Sequence, residues 1–484
     1  MDELSLKSGL TAQEIEEIAK YLGRYPEVEM AKVFGSRALG SYKEASDVDI
    51  AIFGAGVTNK IAGNLKYDIE EDSYMPYFFD VINYNDIKVT SLKEHIDKYG
   101  VVIYRQGWRE YKIEDFIQLE KSTYKPSETE DLKYIGLEHI EQQALRLNGY
   151  GSSKEVVSNK FFFKKGDVLF GKLRPYFRKV IKAPFNGVCS TDIWVCRAKE
   201  ISDQNFLFYF MANNEFVNTA NSADSGTRMP RADWDYLKNT VWELPPLPEQ
   251  KAIAAILSSL DDKIDLLNRQ NKTLEALAET YFRQWFIEEA GENREVGKLG
   301  DYVDFDPKEK VDKRREHMFF DMKCLSADSM IISDGVKRSA ISSSIFRNYD
   351  TLLAKITPCL ENGKTGFVMC LDENEIGLGS TEFVVMRTKG IASPYWIYCL
   401  SRSSEFREAA ILSMNGTSGR QRVQVDMLKE YTVAFSLDRM KRFDSLGKKC
   451  FDKIFNNSQQ IRTLTALRDT LLPKLISGDV RVKM

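Results

Sequence analysis

The sequence predicts an α/β multidomain protein: an N-terminal α/β domain, then two similar α/β domains separated by a pair of long antiparallel helices with coiled-coil spacing. Three observations predict this. Residues 1–105 combine a helix with apolar strands that carry spaced carboxylates. The remainder contains an internal repeat of about 185 residues, and each copy leads into a helix with heptad spacing. The boundaries expected are 1–105, 107–245, 246–290, 294–436 and 437–484.

Composition narrows the class of protein. Hydrophobic residues make up 43% of the 484 positions and charged residues 29%, which is ordinary for a globular protein. No apolar run approaches the roughly 18 residues of a membrane span, and the acidic start is unlike a signal peptide. The seven cysteines are odd in number and form no CxxC pair, so a reduced cytoplasmic setting fits better than a disulfide framework or a zinc site. A cytoplasmic location and no membrane partner are therefore expected.

The charge is uneven. The net charge is −3, and residues 1–105 hold 12 Lys/Arg against 18 Asp/Glu. The chain is not basic overall, so any surface that binds nucleic acid must be a local patch of positive charge.

The first domain opens with a capping box, Thr11 and Glu14, which predicts a helix start. A first strand ends at Gly35-Ser36, and the next carries Asp47 and Asp49. Alternation along a strand places these two carboxylates on one face, where they repel each other unless a cation such as Mg²⁺ lies between them. A third strand adds Asp80.

The pattern Gly-Ser-Arg-Ala-x-Gly, then Ser-Asp-x-Asp and a later Asp, resembles the minimal, MNT-type members of the nucleotidyltransferase superfamily over about residues 10–104. The resemblance implies phosphate contacts from Gly35 and Ser36, with Arg37 neutralising phosphate charge. It implies that Asp47, Asp49 and Asp80 are the catalytic carboxylates and the ligands of Mg²⁺, with a nucleoside triphosphate as the other cofactor. The alternatives are a chance GS…DxD match and a true fold that has become structural or regulatory.

From residue 107 onward the chain repeats itself in five ordered matches, too widely spaced for a solenoid, which indicates a duplicated domain. The matches pair 109–116 with 294–302, 167–175 with 350–358, 190–195 with 380–385, 226–227 with 416–417, and 235–238 with 426–429.

Two stretches show heptad spacing. The first follows Pro245-Pro246-Leu247-Pro248-Glu249-Gln250 to about Phe286, and about forty residues of helix make a rod of about 60 Å. The second begins near residue 437. Asn271 interrupts the first seam and Asn457 the second, so an antiparallel pairing would place them opposite each other. The alternative is two ordinary amphipathic helices buried in separate cores.

Basic residues interleaved with aromatic ones mark a candidate DNA surface in each repeated domain. The first-half candidates are Lys172, Arg174, Arg178, Thr227, Arg228 and Arg231. The second-half candidates are Lys355, Lys364, Arg420 and Arg422. For any one of them the alternative is a solvated surface charge. Two such domains held apart by a rod would read two short half-sites one to two turns of DNA apart.

The segments 244–253 and 467–478 resemble the specificity subunit of type I restriction–modification systems, and the resemblance covers about residues 107–484. It implies a coiled coil between two target-recognition domains that read double-stranded DNA. It also implies docking of two adenine-N6 methyltransferase subunits, with motor/nuclease subunits as further partners. No cofactor is expected in this part, since S-adenosylmethionine binds the methyltransferase. The second helix lacks the Pro-Leu-Pro-Glu-Gln lead-in, which suggests weaker or asymmetric docking there.

Two functions therefore stand side by side. The first is a DNA-specificity subunit of a restriction system that directs DNA methylation, with the N-terminal domain as a regulatory addition. The second is a Mg²⁺-dependent nucleotidyltransferase that moves AMP to a protein or RNA acceptor and uses the rest of the chain as a targeting scaffold. A fusion in which the first domain has no present function is the third possibility.

Overall fold

A computed structural model describes residues 8–43, 46–127, 129–222, 229–289, 295–312, 314–339, 343–417 and 420–482. The chain divides into two compact units. Met1–Ser258 and Asp469–Met484 form the first unit, and Ser259–Arg468 forms the second.

The N-terminal domain is a four-stranded sheet covered by helices. Its strands are β1 (Met30–Phe34), β2 (Val48–Phe53), β3 (Phe79–Asn83) and β4 (Val101–Arg105), in the order β3-β2-β1-β4. Its helices are α1 (Ala12–Leu22), α2 (Gly35–Ala38), α3 (Asn59–Asp72) and α4 (Thr90–Tyr99). The predicted capping box is present, since the Thr11 side chain accepts from Glu14 N and the Glu14 carboxylate accepts from Thr11 N. Strand β2 runs parallel to β3 and antiparallel to β1, so β2 lies in the interior of the sheet.

The first repeated domain contains two main sheets. Its strands are β5 (Arg109–Lys112), β6 (Ile117–Glu120), β7 (Thr123–Tyr124), β8 (Lys133–Ile135), β9 (Gly151–Ser152), β10 (Lys160–Phe163), β11 (Val168–Gly171), β12 (Val180–Lys182), β13 (Gly187–Cys189), β14 (Ile193–Ala198) and β15 (Val241–Leu244). Its helices are α5 (Ile113–Phe116), α6 (Gln204–Ala212), α7 (Asn214–Ser222) and α8 (Trp234–Leu237). One sheet has the order β12-β11-β14-β6 and the other β7-β10-β13-β8-β9, while β5 pairs with β15.

The second repeated domain has the same plan. Its strands are β16 (Glu295–Lys298), β17 (Val303–Phe305), β18 (Glu316–Phe320), β19 (Val336–Ser339), β20 (Ser344–Phe346), β21 (Thr351–Ala354), β22 (Thr365–Phe367), β23 (Gly377–Gly379), β24 (Phe383–Thr388) and β25 (Thr432–Phe435). Its helices are α10 (Leu299–Tyr302), α11 (Pro394–Arg402), α12 (Ser404–Leu412) and α13 (Val425–Lys429). The order β22-β21-β24-β17 matches β12-β11-β14-β6, and the β16–β25 pair matches β5–β15. The duplication is therefore present in the topology as well as in the sequence.

The two heptad stretches form long helices, α9 (Leu247–Arg283) of 37 residues and α14 (Leu437–Ile476) of 40. A short π-helix, Gln284–Glu288, follows α9. In the second unit, Asn457 Nδ2 donates to Asn271 Oδ1 at 2.9 Å, and the Phe286 ring meets Phe443 edge-on at 5.6 Å. Phe286 follows Asn271 along the chain, whereas its partner Phe443 precedes Asn457 along α14. The two helices are therefore antiparallel. The predicted pairing and the predicted position of the two asparagines are confirmed.

The Pro-Leu-Pro-Glu-Gln stretch begins α9 and anchors it within the first unit. Gln250 donates to the carbonyls of Ile201 and Pro245, each at 3.0 Å, and accepts from Asp203 N at 2.8 Å. Glu249 is 1% exposed, and both its oxygens accept from Arg481, at 2.6 and 2.8 Å. Both polar side chains of the motif therefore hold the helix start in place.

Within the described ranges, no helix has both the length and the apolar character needed to cross a membrane.

Candidate functional site

The turn after β1 brings its backbone against a carboxylate. Gly35 begins α2 with φ +73°, a conformation that favours glycine. A Cβ at this position would lie 2.2 Å from Asp49 Oδ2, so any side chain here would displace that carboxylate. Gly35 is thus held against Asp49.

Asp49 and Asp80 are neighbours on parallel strands. Asp49 on β2 is in register with Asp80 on β3, and with Phe34 at the end of β1. Burial raises the pKa of the Asp49 carboxyl, and the negative charges of Asp80 and Asp47 raise it further. Asp47 lies one residue before β2 and is exposed. A carboxyl whose ionisation is disfavoured by burial and by two nearby negative charges is an environment that a cation would stabilise.

In the described part of the chain, no group of three or more His, Cys, Asp or Glu side chains stands ready to hold a metal ion. The three aspartates are therefore not assembled as one ligand set. Mg²⁺ is commonly bound by one or two carboxylates together with substrate phosphates and water. Asp49 and Asp80 fit that smaller requirement.

Arg37 has a different role from the expected phosphate contact. Its side chain is buried, 1% exposed, and lies over the Tyr77 ring at 4.5 Å. The guanidinium donates to the carbonyls of Ser46 at 2.8 Å, Asp47 at 3.2 Å and Ser8 at 3.1 Å. It therefore supports the segment that leads to Asp47 and Asp49 instead of facing outward.

In the first repeated domain the predicted basic residues separate into surface and interior positions. Lys172 lines an open cavity of ≈ 510 Å³ with Lys121, Arg231, Phe161, Trp194 and Trp234. Arg174 is half-buried with a left-handed backbone, and its guanidinium lies 6.0 Å from the Phe177 ring. Arg178 is buried and donates to Ala212 O at 2.6 Å, so it supports the domain and is not a surface contact. Thr227 and Arg228 lie outside the described residues.

Arg231 and its counterpart Arg422 each pair with an acid. Arg231 Nη2 lies 3.4 Å from Asp192 Oδ1 in the first domain. In the second, Arg422 Nε and Nη2 donate to both oxygens of Glu382, at 2.6–3.1 Å.

The remaining second-domain candidates occupy varied positions. Arg420 is exposed, and Lys355 is half-buried. Lys364 Nζ donates to Met322 O at 3.1 Å, which directs it into its own domain.

Sequence reasoning missed a second ion pair in each repeated domain, formed on a buried aspartate. Arg197 donates to both oxygens of Asp167 at 2.7 and 2.9 Å, and Arg387 does the same to Asp350 at 2.8 and 2.7 Å. Both arginines lie two positions beyond the matched blocks 190–195 and 380–385, so extending those blocks would have found them.

Comparison with known proteins covers both parts of the chain. Residues 105–276 match the family described as type I restriction modification DNA specificity domain, and residues 16–107 match the family described as polymerase beta, nucleotidyltransferase. The specificity subunit of type I restriction enzyme MjaVIII from Methanocaldococcus jannaschii is 28% identical over 78% of this chain and 94% of its own length. The MjaIX subunit of the same organism is 26% identical over 57% of this chain and 69% of its own length. The EcoDI subunit of Escherichia coli is 30% identical over 34% of this chain and 37% of its own length.

Solved structures with similarity include a type I restriction–modification S subunit from M. genitalium. It is 14% identical, covers 78% of this chain and 96% of that chain, and has a TM-score of 0.49. A toxin–antitoxin structure with AMP-PNP covers 19% of this chain and 73% of that chain, at 21% identity and a TM-score of 0.17. Both resemblances predicted from the sequence are confirmed by the family matches.

Proposed function

We propose that this chain, which carries a nucleotidyltransferase domain followed by a type I restriction–modification DNA specificity domain, reads DNA sequence. The proposed target is bipartite, and the chain reads it for an adenine-N6 methyltransferase. The observation that carries the proposal is the duplicated recognition domain. Both copies have the same four-strand order, the same Arg–Asp pair on a buried aspartate and the same Arg–acid pair beside the Ser-Thr segment. Two copies of one reading domain suit a target with two half-sites.

The long helices support a role in subunit docking. Leu266, Leu277 and Leu467 are 40–44% exposed on helices that bury other apolar residues, such as Ile253, Leu257 and Ile454. Exposed leucines on a rigid helix are a suitable surface for a protein partner. We propose that two methyltransferase subunits dock along the helices, with motor/nuclease subunits as further partners. We propose that the complex acts on double-stranded DNA in the cytoplasm.

The first experiment is a genome-wide map of N6-methyladenine in cells that carry this gene and its methyltransferase, compared with cells lacking this gene. We expect two short sequence blocks around a fixed gap whose methylation disappears with the gene. A methylated motif that persists unchanged without the gene would contradict the proposal.

The geometry around Gly35 favours a second activity, nucleotidyl transfer by the N-terminal domain. Gly35 and Ser36 would hold nucleotide phosphate, while Asp49 and Asp80 would hold Mg²⁺ together with that phosphate. When bound, the metal would supply electrostatic stabilisation of the phosphoryl group in transfer. Arg37 would keep Asp47 and Asp49 in place, and Asp47 would add negative charge beside them.

Transfer is tested by incubating the complete complex with labelled ATP and Mg²⁺ and following label on protein and RNA. Asp49→Asn should abolish labelling, and Asp47→Ala should do so if its charge helps to recruit the cation. Glu71→Gln, an exposed acid on α3, is the matched control and should label normally. Labelling that survives Asp49→Asn would contradict transfer by this domain, while DNA methylation should be unchanged in all three variants.

A further inference from the structure

The same Arg–acid pair occupies the same place in both recognition domains. Asp192 and Glu382 each follow a Ser-Thr pair directly before a central strand, β14 or β24. Arg231 contacts the first acid and Arg422 the second. Neither pair is required by the fold core, since the four side chains are 24–58% exposed.

The hydrogen bonds around the two pairs correspond one to one. Ser190 Oγ accepts from Asp192 N at 3.2 Å, and Ser380 Oγ accepts from Glu382 N at 3.2 Å. The carbonyl of each acid accepts from a lysine amide, Lys172 N at 2.9 Å and Lys355 N at 2.8 Å. Each lysine carbonyl in turn accepts at 2.9 Å from the residue after the arginine.

One isolated β-bridge holds the arginine segment beside the lysine segment in each domain. Leu173 pairs with Arg231 in the first domain, and Ile356 pairs with Arg422 in the second. The acid, the lysine and the arginine are thus brought together from three segments that are distant in sequence. The two domains preserve this arrangement although Asp has become Glu and Leu has become Ile.

The acid fixes the direction of the guanidinium. In the second domain Arg422 uses its Nε and Nη2 for the carboxylate fork. This side-on fork leaves the end of the guanidinium, with Nη1, directed away from the carboxylate. Hydrogen bonding to Arg422 lowers the pKa of Glu382, so the acid stays ionised and the fork persists at neutral pH.

The surroundings of Arg231 suit a nucleic acid. It lines the same cavity as Lys121 and Lys172, whose ammonium groups can meet phosphate, and as Trp194 and Trp234. An arginine at the edge of this cavity, paired with Asp192, could contact a base edge while the lysines bind the phosphate backbone.

We propose that Arg231 and Arg422 are the guanine-reading residues of the two half-sites, each oriented by its partner acid, Asp192 or Glu382. The inference rests on the proposed DNA-specificity function. Arginine donates two hydrogen bonds to O6 and N7 of guanine, a pattern that no other base offers. The partner carboxylate offsets the positive charge, so the pair adds discrimination between bases more than general attraction to phosphate.

The test uses the complex of this chain with its methyltransferase and a set of DNA duplexes in which each position of the mapped motif is changed in turn. Arg422→Ala should relax one guanine position in one half-site, with about a 5- to 150-fold loss of discrimination. Glu382→Gln should relax the same position less, because the arginine remains but loses its charged buttress. Arg231→Ala should relax a guanine in the other half-site only.

Arg420→Ala is the matched control, since Arg420 is an exposed neighbour without a carboxylate partner among the described contacts. If Arg420 meets phosphate, its removal should weaken binding to all duplexes alike and reduce the salt dependence. Arg422→Lys keeps the positive charge but cannot form the two-pronged contact with Glu382. This variant replaces Arg422→Ala in the test if the alanine variant fails to fold, and the same loss of discrimination is expected.

Arg422→Ala and Arg422→Lys could instead lower methylation equally on all duplexes and leave the base preference intact. That result would overturn the guanine-reading assignment and show that the pair only stabilises the domain. Absence of any motif from the wild-type complex would instead refute the proposed DNA-specificity function.

Discussion

At the residue scale, each repeated domain places one arginine between two acids; Arg387 is buried and Arg197 is half-buried. Arg387 contacts Asp350 and Glu309, and Arg197 contacts Asp167 and Glu120. The aspartate also accepts a backbone amide, from Arg347 at 2.9 Å or from Lys164 at 2.7 Å. Buried charges are tolerated when they are paired and hydrogen-bonded on all sides, and this arrangement meets that condition.

Removing one partner of that pair should be costly. Asp350 is 1% exposed, and Asp350→Ala leaves Arg387 with Glu309 alone. We expect the free energy of unfolding of the second unit to fall by about 3 kcal/mol, measured by urea denaturation of the full chain. Asp426→Ala removes an exposed pair with Lys429 and should leave the midpoint in place. Equal midpoints for the two variants would contradict this.

A buried glutamate on α9 predicts a pH effect. Glu275 is 6% exposed and accepts from Tyr398 Oη and, at 3.2 Å, from Met330 N. Burial raises the pKa of this carboxyl above 4.5, its ordinary value. The folded state therefore binds the proton more tightly than the unfolded state, and this contribution to stability is lost as pH rises through the raised pKa.

The measurement is the pH dependence of unfolding for the wild type and Glu275→Gln, which does not titrate. From about pH 4.5 upward the wild type should lose stability relative to the variant, until its raised pKa is passed. A difference between the two that stays constant with pH would show that burial does not perturb Glu275.

At the scale of elements, polar side chains interrupt the seam between α9 and α14. Asn457 is fully buried and donates to Asn271, while Asn271 donates to Ser458 Oγ at 3.3 Å. Arg468 on α14 is 4% exposed and donates to Asp261 of α9 at 2.8 Å. Each of these three polar side chains therefore has a partner on the facing helix, which fixes the register at a cost in stability.

Replacing the asparagine pair should reveal that cost. The double variant Asn271→Leu/Asn457→Leu should have a free energy of unfolding about 1 kcal/mol higher, because apolar residues fill the seam better than a buried amide pair. Urea denaturation should show this as a higher midpoint. Asn457→Leu alone should be less stable than the double variant, since Asn271 Oδ1 then lacks its donor. A double variant less stable than the wild type would show that the amide pair is a net stabiliser.

At the scale of the first unit, one arginine connects three segments. Arg481 binds Glu249 at the start of α9, Glu29 O of the N-terminal domain at 2.8 Å, and Gln106 O between the domains at 3.2 Å. Trp108 Nε1 donates to the same glutamate at 3.2 Å. The N-terminal domain is therefore fastened to the helix start through a buried carboxylate.

Arg481→Ala should loosen this attachment. It leaves Glu249 buried without its cation, which we expect to cost about 3 kcal/mol, and it releases Glu29 and Gln106. The measurement is limited proteolysis of the full chain, with faster cleavage expected near residues 104–108. Asp479→Ala, an exposed neighbour, should be cleaved at the wild-type rate. Wild-type resistance in Arg481→Ala would mean that other contacts hold the domain.

Local pattern determined much of this protein. Heptad spacing and the Gly-Ser…Asp-x-Asp segment predicted the helices and the first domain, because each depends on residues close in sequence. The ordered repeat predicted the duplication, because similar segments in the same order fold alike. Even the Asn271–Asn457 contact followed from two seam positions, since antiparallel pairing places the middle of one seam opposite the middle of the other.

Only the tertiary structure decided which charged side chains face inward. Arg37 and Arg178 read as surface phosphate contacts in the sequence, yet both are buried and bind carbonyls of distant segments. Glu249 and Arg481 are 232 positions apart and meet directly. A charged residue can be buried wherever partners from other segments satisfy it, and those partners are fixed by the fold and not by neighbouring residues.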